Sequence, residues 1–104
     1  MKFISNRDMA LGVYDIDSAS AFYGEVLGFK TNREEKGLRV YETGNFMLYV
    51  EESVPYPPVP SLTVENLAEA KKYLLENGCE IINELEKSFY FRDPFGVVWD
   101  IIEA

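Results

Sequence analysis

Chemistry in this chain must come from carboxylates and phenols, because its 104 residues include no histidine. That absence removes the side chain that titrates near neutral pH, the commonest metal ligand and every triad built on imidazole. The only cysteine, Cys79, follows a helix-ending glycine and has no basic neighbour to lower its pKa, so it is expected to pack rather than react. A lone cysteine also excludes an intrachain disulfide. Among the acids, Asp100 interrupts an apolar run, Val97 to Ile102. Two roles compete for it: a structural hydrogen bond to a neighbour such as Arg39, or a general base whose pKa burial has raised. Arg92, just before a turn, is expected to pair with a local acid. Trp99 is assigned to the core.

Hydropathy patterning supplies the elements that must position these groups. Met9 to Val13 alternate like a strand, and Asp15 then reads as an N-cap. Ile16, Ala19, Phe22, Tyr23, Val26 and Leu27 recur at helical spacing until Gly28 stops them. A charged segment, Asn32 to Gly37, leads to strands at Leu38 to Glu42 and Phe46 to Glu51. The order then repeats. Leu62 to Val64 reads as a strand and Asn66 as an N-cap; Leu67, Ala70, Tyr73 and Leu74 line a helix that Gly78 ends. Strands are expected at Glu80 to Leu85, Ser88 to Arg92 and Val97 to Ile102, the last two joined by Asp93-Pro94-Phe95-Gly96. Pro and Gly stand there where a type I turn followed by a left-handed residue places them.

At an offset of 51 residues, Leu11, Val13, Asp15 and Ile16 fall on Leu62, Val64, Asn66 and Leu67, and Phe46, Leu48 and Val50 fall on Val97, Trp99 and Ile101. This internal duplication predicts one domain made of module 1 (1–52), a proline-rich linker (53–60) and module 2 (61–104). Four prolines in the eight linker residues make it stiff, spanning roughly 25 Å at about 3.1 Å per residue. Such a linker either runs along a sheet edge or holds the modules apart, so that each pairs with a module of a second chain.

Composition limits the partners. Hydrophobic residues at 47% and charged residues at 27% describe an ordinary globular domain, and a core this small favours a homodimer. The net charge of −8 repels phosphate backbones and anionic lipid, so neither nucleic acid nor membrane is an expected partner, whereas small cations are attracted. The start, MKFISNRD, lacks a signal-peptide apolar stretch and no membrane-length apolar run occurs, so the cytoplasm is the expected location.

Two segments carry a family resemblance. LGVYDIDSASAFYGEVLGF (Leu11 to Phe29) resembles the opening strand, Asp-capped helix and closing "FY…LGF" of the vicinal oxygen chelate superfamily, the glyoxalase/bleomycin-resistance/extradiol dioxygenase fold. FRDPFGVVWDIIE (Phe91 to Glu103) is similar to its closing "DPxGN…E" hairpin. The resemblance implies an α+β fold of two tandem βαβββ modules whose mixed sheet curls into a cup. Metal-dependent relatives hold a divalent ion there with His, Glu or Gln from the first and fourth strands of each module. The matching positions here are Asp8, Tyr49, Val59 and Asp100. Val59 has no donor atom, and tyrosine seldom binds outside ferric sites. Catalytic zinc wants three protein ligands, and two short carboxylates would hold Mg²⁺ or Mn²⁺ only loosely. No metal or other cofactor is therefore expected.

By the same phase, the cup is expected to be lined by Asp8, Ala10, Gly12, Met47, Tyr49, Glu51, Ser61, Thr63, Val98 and Asp100, with Arg39 and Tyr41 added if Leu38 and Val40 face a helix. The opposite phase, including Val97 and Trp99, is apolar. Phe89 and Phe91 oppose Tyr90 and Arg92 without settling which pair is which. Small residues, acids and tyrosine rings favour a cationic or aromatic guest. The resulting expectation is a metal-independent small-molecule binding protein. One alternative is a lyase, isomerase or dioxygenase-type enzyme using Asp100 or Asp8, as general base or with a weakly held metal. In another, the cup is closed by side chains and the protein serves association; separately, Asp8 has a rival role as a solvated residue before a strand.

Overall fold

The computed structural model describes residues 1–104 and divides into two compact units: Arg7–Pro58, and Met1–Asn6 together with Val59–Ala104. The sequence of elements is a βαβββ module written twice, in the expected α+β class. No helix is long and apolar enough to cross a membrane.

In the first unit, β1 (Ile4–Val13, its first three residues belonging to the second unit), α1 (Ile16–Ala21), β2 (Lys30–Glu35), β3 (Leu38–Glu42) and β4 (Met47–Glu52) follow in turn. The strands lie in the order β2-β3-β4-β1, with β1 parallel to β4 and the other pairs antiparallel. Asp15 caps α1, accepting the Ser18 backbone N–H at 3.1 Å and the Ser18 hydroxyl at 2.8 Å. The helix continues into a wider, π-type turn (Phe22–Val26), closed by the Leu27 N–H on the Phe22 carbonyl at 3.0 Å. This turn shifts the later residues off the 3.6-residue register of the stripe. Ile16, Ala19 and Tyr23 pack with Leu11, Tyr41, Leu48 and Val50, whereas Phe22, Val26 and Leu27 stay exposed.

In the second unit, β5 (Tyr56–Val64, its first three residues belonging to the first unit), α2 (Leu67–Glu76), β6 (Glu80–Glu84), β7 (Ser88–Arg92) and β8 (Val98–Glu103) repeat the arrangement, in the order β5-β8-β7-β6 with β5 parallel to β8. Asn66 caps α2, its side-chain oxygen accepting the Glu69 N–H at 2.9 Å. Val64, Ala70, Leu74, Phe89, Phe91 and Ile101 form the core, with Cys79 and Trp99 packed at its margin as expected. Burial of Phe89 and Phe91 assigns Tyr90 and Arg92 to the opposite face. Val97, expected in the core phase, is 46% exposed because it belongs to the turn ahead of β8.

Three elements depart from the sequence reading. β1 begins at Ile4, five residues before the expected start. The charged segment is a strand, β2, every residue of which is exposed. The proline-rich stretch is largely strand, since β5 starts at Tyr56. Proline's fixed φ suits extended backbone, and the pairing of β5 with β8 runs from Ser61 to Val64, beyond the last proline.

Candidate functional site

The face of each sheet away from its helix is mixed, carrying polar residues together with buried aliphatic ones such as Val40 and Val59. In the first unit, Asp8, Ala10 and Gly12 of β1 lie opposite Met47, Tyr49 and Glu51 of β4, alternating with the core residues Leu11, Leu48 and Val50. Asp8 is half-buried, and burial pushes its carboxyl above the usual range. Glu51 accepts the Tyr56 hydroxyl at 2.7 Å. Tyr56 itself lies on Gly12: a Cβ at position 12 would sit 2.3 Å from Cδ2 of the ring and 2.4 Å from the Ser53 Oγ.

β3 has the phase opposite to the one that would bring Arg39 and Tyr41 to this face. Arg39 pairs with Val50 and Tyr41 with Leu48, which puts both on the helix side. Tyr41 is 1% exposed in the core and donates to the Ser20 hydroxyl at 2.8 Å. Arg39 donates to the carbonyls of Glu35 and Leu38 at 2.8 and 3.0 Å and stands 3.6 Å from Asp17 of α1. Leu38 and Val40 take the sheet face instead, beside Glu51 and Tyr49.

In the second unit the polar face is wired. The Asn6 amide donates to the Ser61 hydroxyl at 2.8 Å and to the Thr63 hydroxyl at 3.2 Å, and Ser61 donates in turn to the Asp100 carboxylate at 2.9 Å. Ser61 is only 4% exposed, so this chain satisfies a buried hydroxyl. Strand register puts Tyr90 beside Asp100, and Val98 shares that face. Asp100 is thus held by Ser61, where the sequence suggested Arg39. Arg92 pairs with Glu80 across the β6/β7 ladder, the local acid expected for it.

Asn6, Tyr56 and Tyr90 are the residues that sequence reasoning missed here. Asn6 precedes Arg7, whose φ of 63° interrupts the strand, so simple alternation back from Asp8 gives no signal for it. Tyr56 was hidden among the linker prolines, and Tyr90 lay in a strand of unsettled phase.

The donor set does not fit a divalent metal. Of the four positions matching the metal-binding pattern, Val59 has no donor and is 4% exposed, and tyrosine at 49 seldom binds a divalent ion, which leaves two aspartates. No group of three or more Cys, Asp or Glu side chains is placed to hold an ion.

The two βαβββ units go together with a family match in the sequence. The model of the Glyoxalase/Bleomycin resistance protein/Dioxygenase superfamily matches residues 8–101, and the chain belongs to that superfamily. Solved structures share the fold. A hypothetical protein of Bacillus halodurans is 17% identical with a TM-score of 0.69, over 100% of this chain and 96% of its own. An uncharacterized protein of Methanosarcina mazei is 22% identical with a TM-score of 0.53, over 99% and 91%. A variant of homoprotocatechuate 2,3-dioxygenase from Brevibacterium fuscum is 16% identical with a TM-score of 0.72; this chain is 98% covered but spans 33% of that enzyme. No curated protein matches the sequence.

Proposed function

We propose that this chain is a metal-independent small-molecule binding protein, a cytosolic homodimer that takes a cationic or aromatic ligand on its polar sheet faces. The observation that carries the reading is the fate of Asp100. It sits at a position where metal-dependent relatives place a ligand, yet a buried serine and an asparagine engage it in a hydrogen-bonded chain. A carboxyl group held in this way is a fixed hydrogen-bonding partner for an organic cation. The net charge of −8 favours the same guests, and Phe22, Val26 and Leu27, left in water along the π-type turn that follows α1, support self-association.

Calorimetric titration with a panel of planar organic cations and their neutral isosteres, in the presence of a chelator, tests this reading. Cations are expected to bind without turnover, and Asp100→Asn to weaken them roughly tenfold while leaving the fold intact. Unchanged affinity in D100N removes Asp100 from the site, and a panel without binders removes the reading.

One observation favours a second reading, an enzyme of the same superfamily. Burial raises the Asp8 carboxyl towards the range useful to a general base. Turnover that survives chelation and is lost in Asp8→Asn would select that alternative.

A further inference from the structure

We propose that Tyr56 and Glu51 form a cation-recognition subsite at one end of the first unit's sheet face, selecting ligands whose charge is carried on a flat or alkylated group such as an amidinium, guanidinium or methylated ammonium. The assignment rests on the ligand-binding reading above and names the residues that would discriminate.

The subsite begins with a missing side chain. Gly12 is the third inward position of β1, and a Cβ there would lie 2.3 and 2.5 Å from Cδ2 and Cε2 of Tyr56. Any other residue would expel the ring, so glycine permits an aromatic plane to rest directly on the strand backbone. The ring is fixed at its far end as well, where its hydroxyl donates to Glu51 at 2.7 Å, and Glu51 is the register partner of Gly12. The chain leading to Tyr56 is tied down by the Ser53 N–H on the Val13 carbonyl at 2.9 Å, and prolines at 55 and 57 flank the tyrosine. Little conformational freedom remains to be lost when a guest arrives.

These groups have the chemistry of a cation site. A tyrosine face attracts a cation within about 6 Å of its centroid, most strongly when the cation is weakly hydrated. Glu51 sets a carboxylate at the polar edge of the same ring and is itself exposed, and Tyr56 keeps part of its surface in solvent. A compact, strongly hydrated ammonium would gain less from the ring than a delocalised charge would.

The test titrates 4-aminobenzamidine, a planar cation, and its neutral isostere 4-aminobenzamide into the full chain by fluorescence. The wild type is expected to prefer the cation by about tenfold, Glu51→Gln to abolish that preference, Tyr56→Phe to weaken the cation by a few fold, and Tyr56→Ala to weaken both compounds. Circular dichroism checks each fold; E51Q and Y56F keep the ring and carry the test if Y56A does not fold. A wild type that ignores the charge difference, or variants that bind as it does, overturns the assignment and leaves the binding reading standing. Failure of the entire cation panel is the separate result that removes both.

Discussion

Asp8 and Asp93 are the same side chain shifted in opposite directions. Burial raises Asp8, so the fold prefers its neutral form. Its contribution to stability is fully present below the ordinary aspartate value of 3.8 and is lost as pH rises through the raised pKa. Asp93 is held low, first by the Trp99 indole N–H at 3.0 Å and then by the Val97 and Phe95 backbone N–H groups at 3.0 and 2.9 Å. Its contribution is present above 3.8 and fades as pH falls through the depressed pKa. Urea unfolding across the acid range is therefore expected to give trends of opposite sign. Asp8→Asn gains on the wild type as pH rises from about 4 to about 7. Asp93→Ala trails the wild type most at neutral pH, with the gap closing in acid. Parallel curves for either variant would contradict the environments described.

At the scale of elements, the caps were the most legible signals. Asp15 and Asn66 follow the strands and both accept the N–H three residues on, because a short polar side chain there satisfies a helix-start donor. Asn66→Ala is expected to cost about 0.5–2 kcal/mol in urea unfolding. No loss would mean that water or Glu103, which already accepts the Leu67 N–H at 2.9 Å, takes over the cap. Three features were not legible, for physical reasons. β2 is an edge strand exposed on both faces, so no face demanded alternation; the register shift between Thr31 and Arg33 breaks its period further. The start of β5 was masked by prolines, which in most strands would remove needed donors. The phase of β3 was open because both phases offered apolar surface, Leu38 with Val40 or Tyr41 with the stem of Arg39. Its counterpart β7 was equally open in the sequence, and only the burial of Phe89 and Phe91 settles its phase. The turn before β8 is one residue longer than the turn before β4, so the uniform offset of 51 aligns β3 one residue out of phase with β7. The offset of 50 puts Arg39 and Tyr41 on Phe89 and Phe91.

For the whole molecule, the duplicated order of strand, capped helix and three strands was enough to fix the class, because each repeat carries its own start and stop residues. Ten of the twelve expected site residues fall on the polar sheet faces; Arg39 and Tyr41 are the two that do not. We propose that the superfamily scaffold is kept without its metal: valine stands at one of the four matching positions, and a serine-held aspartate at another. Native mass spectrometry of the purified protein, with and without Mn²⁺, Ni²⁺ and Zn²⁺, tests that claim most directly. The expected result is a dimer whose mass is unchanged by all three ions. One stoichiometric metal per chain, lost in Asp8→Asn or Asp100→Asn, would contradict it and move the enzyme reading to first place.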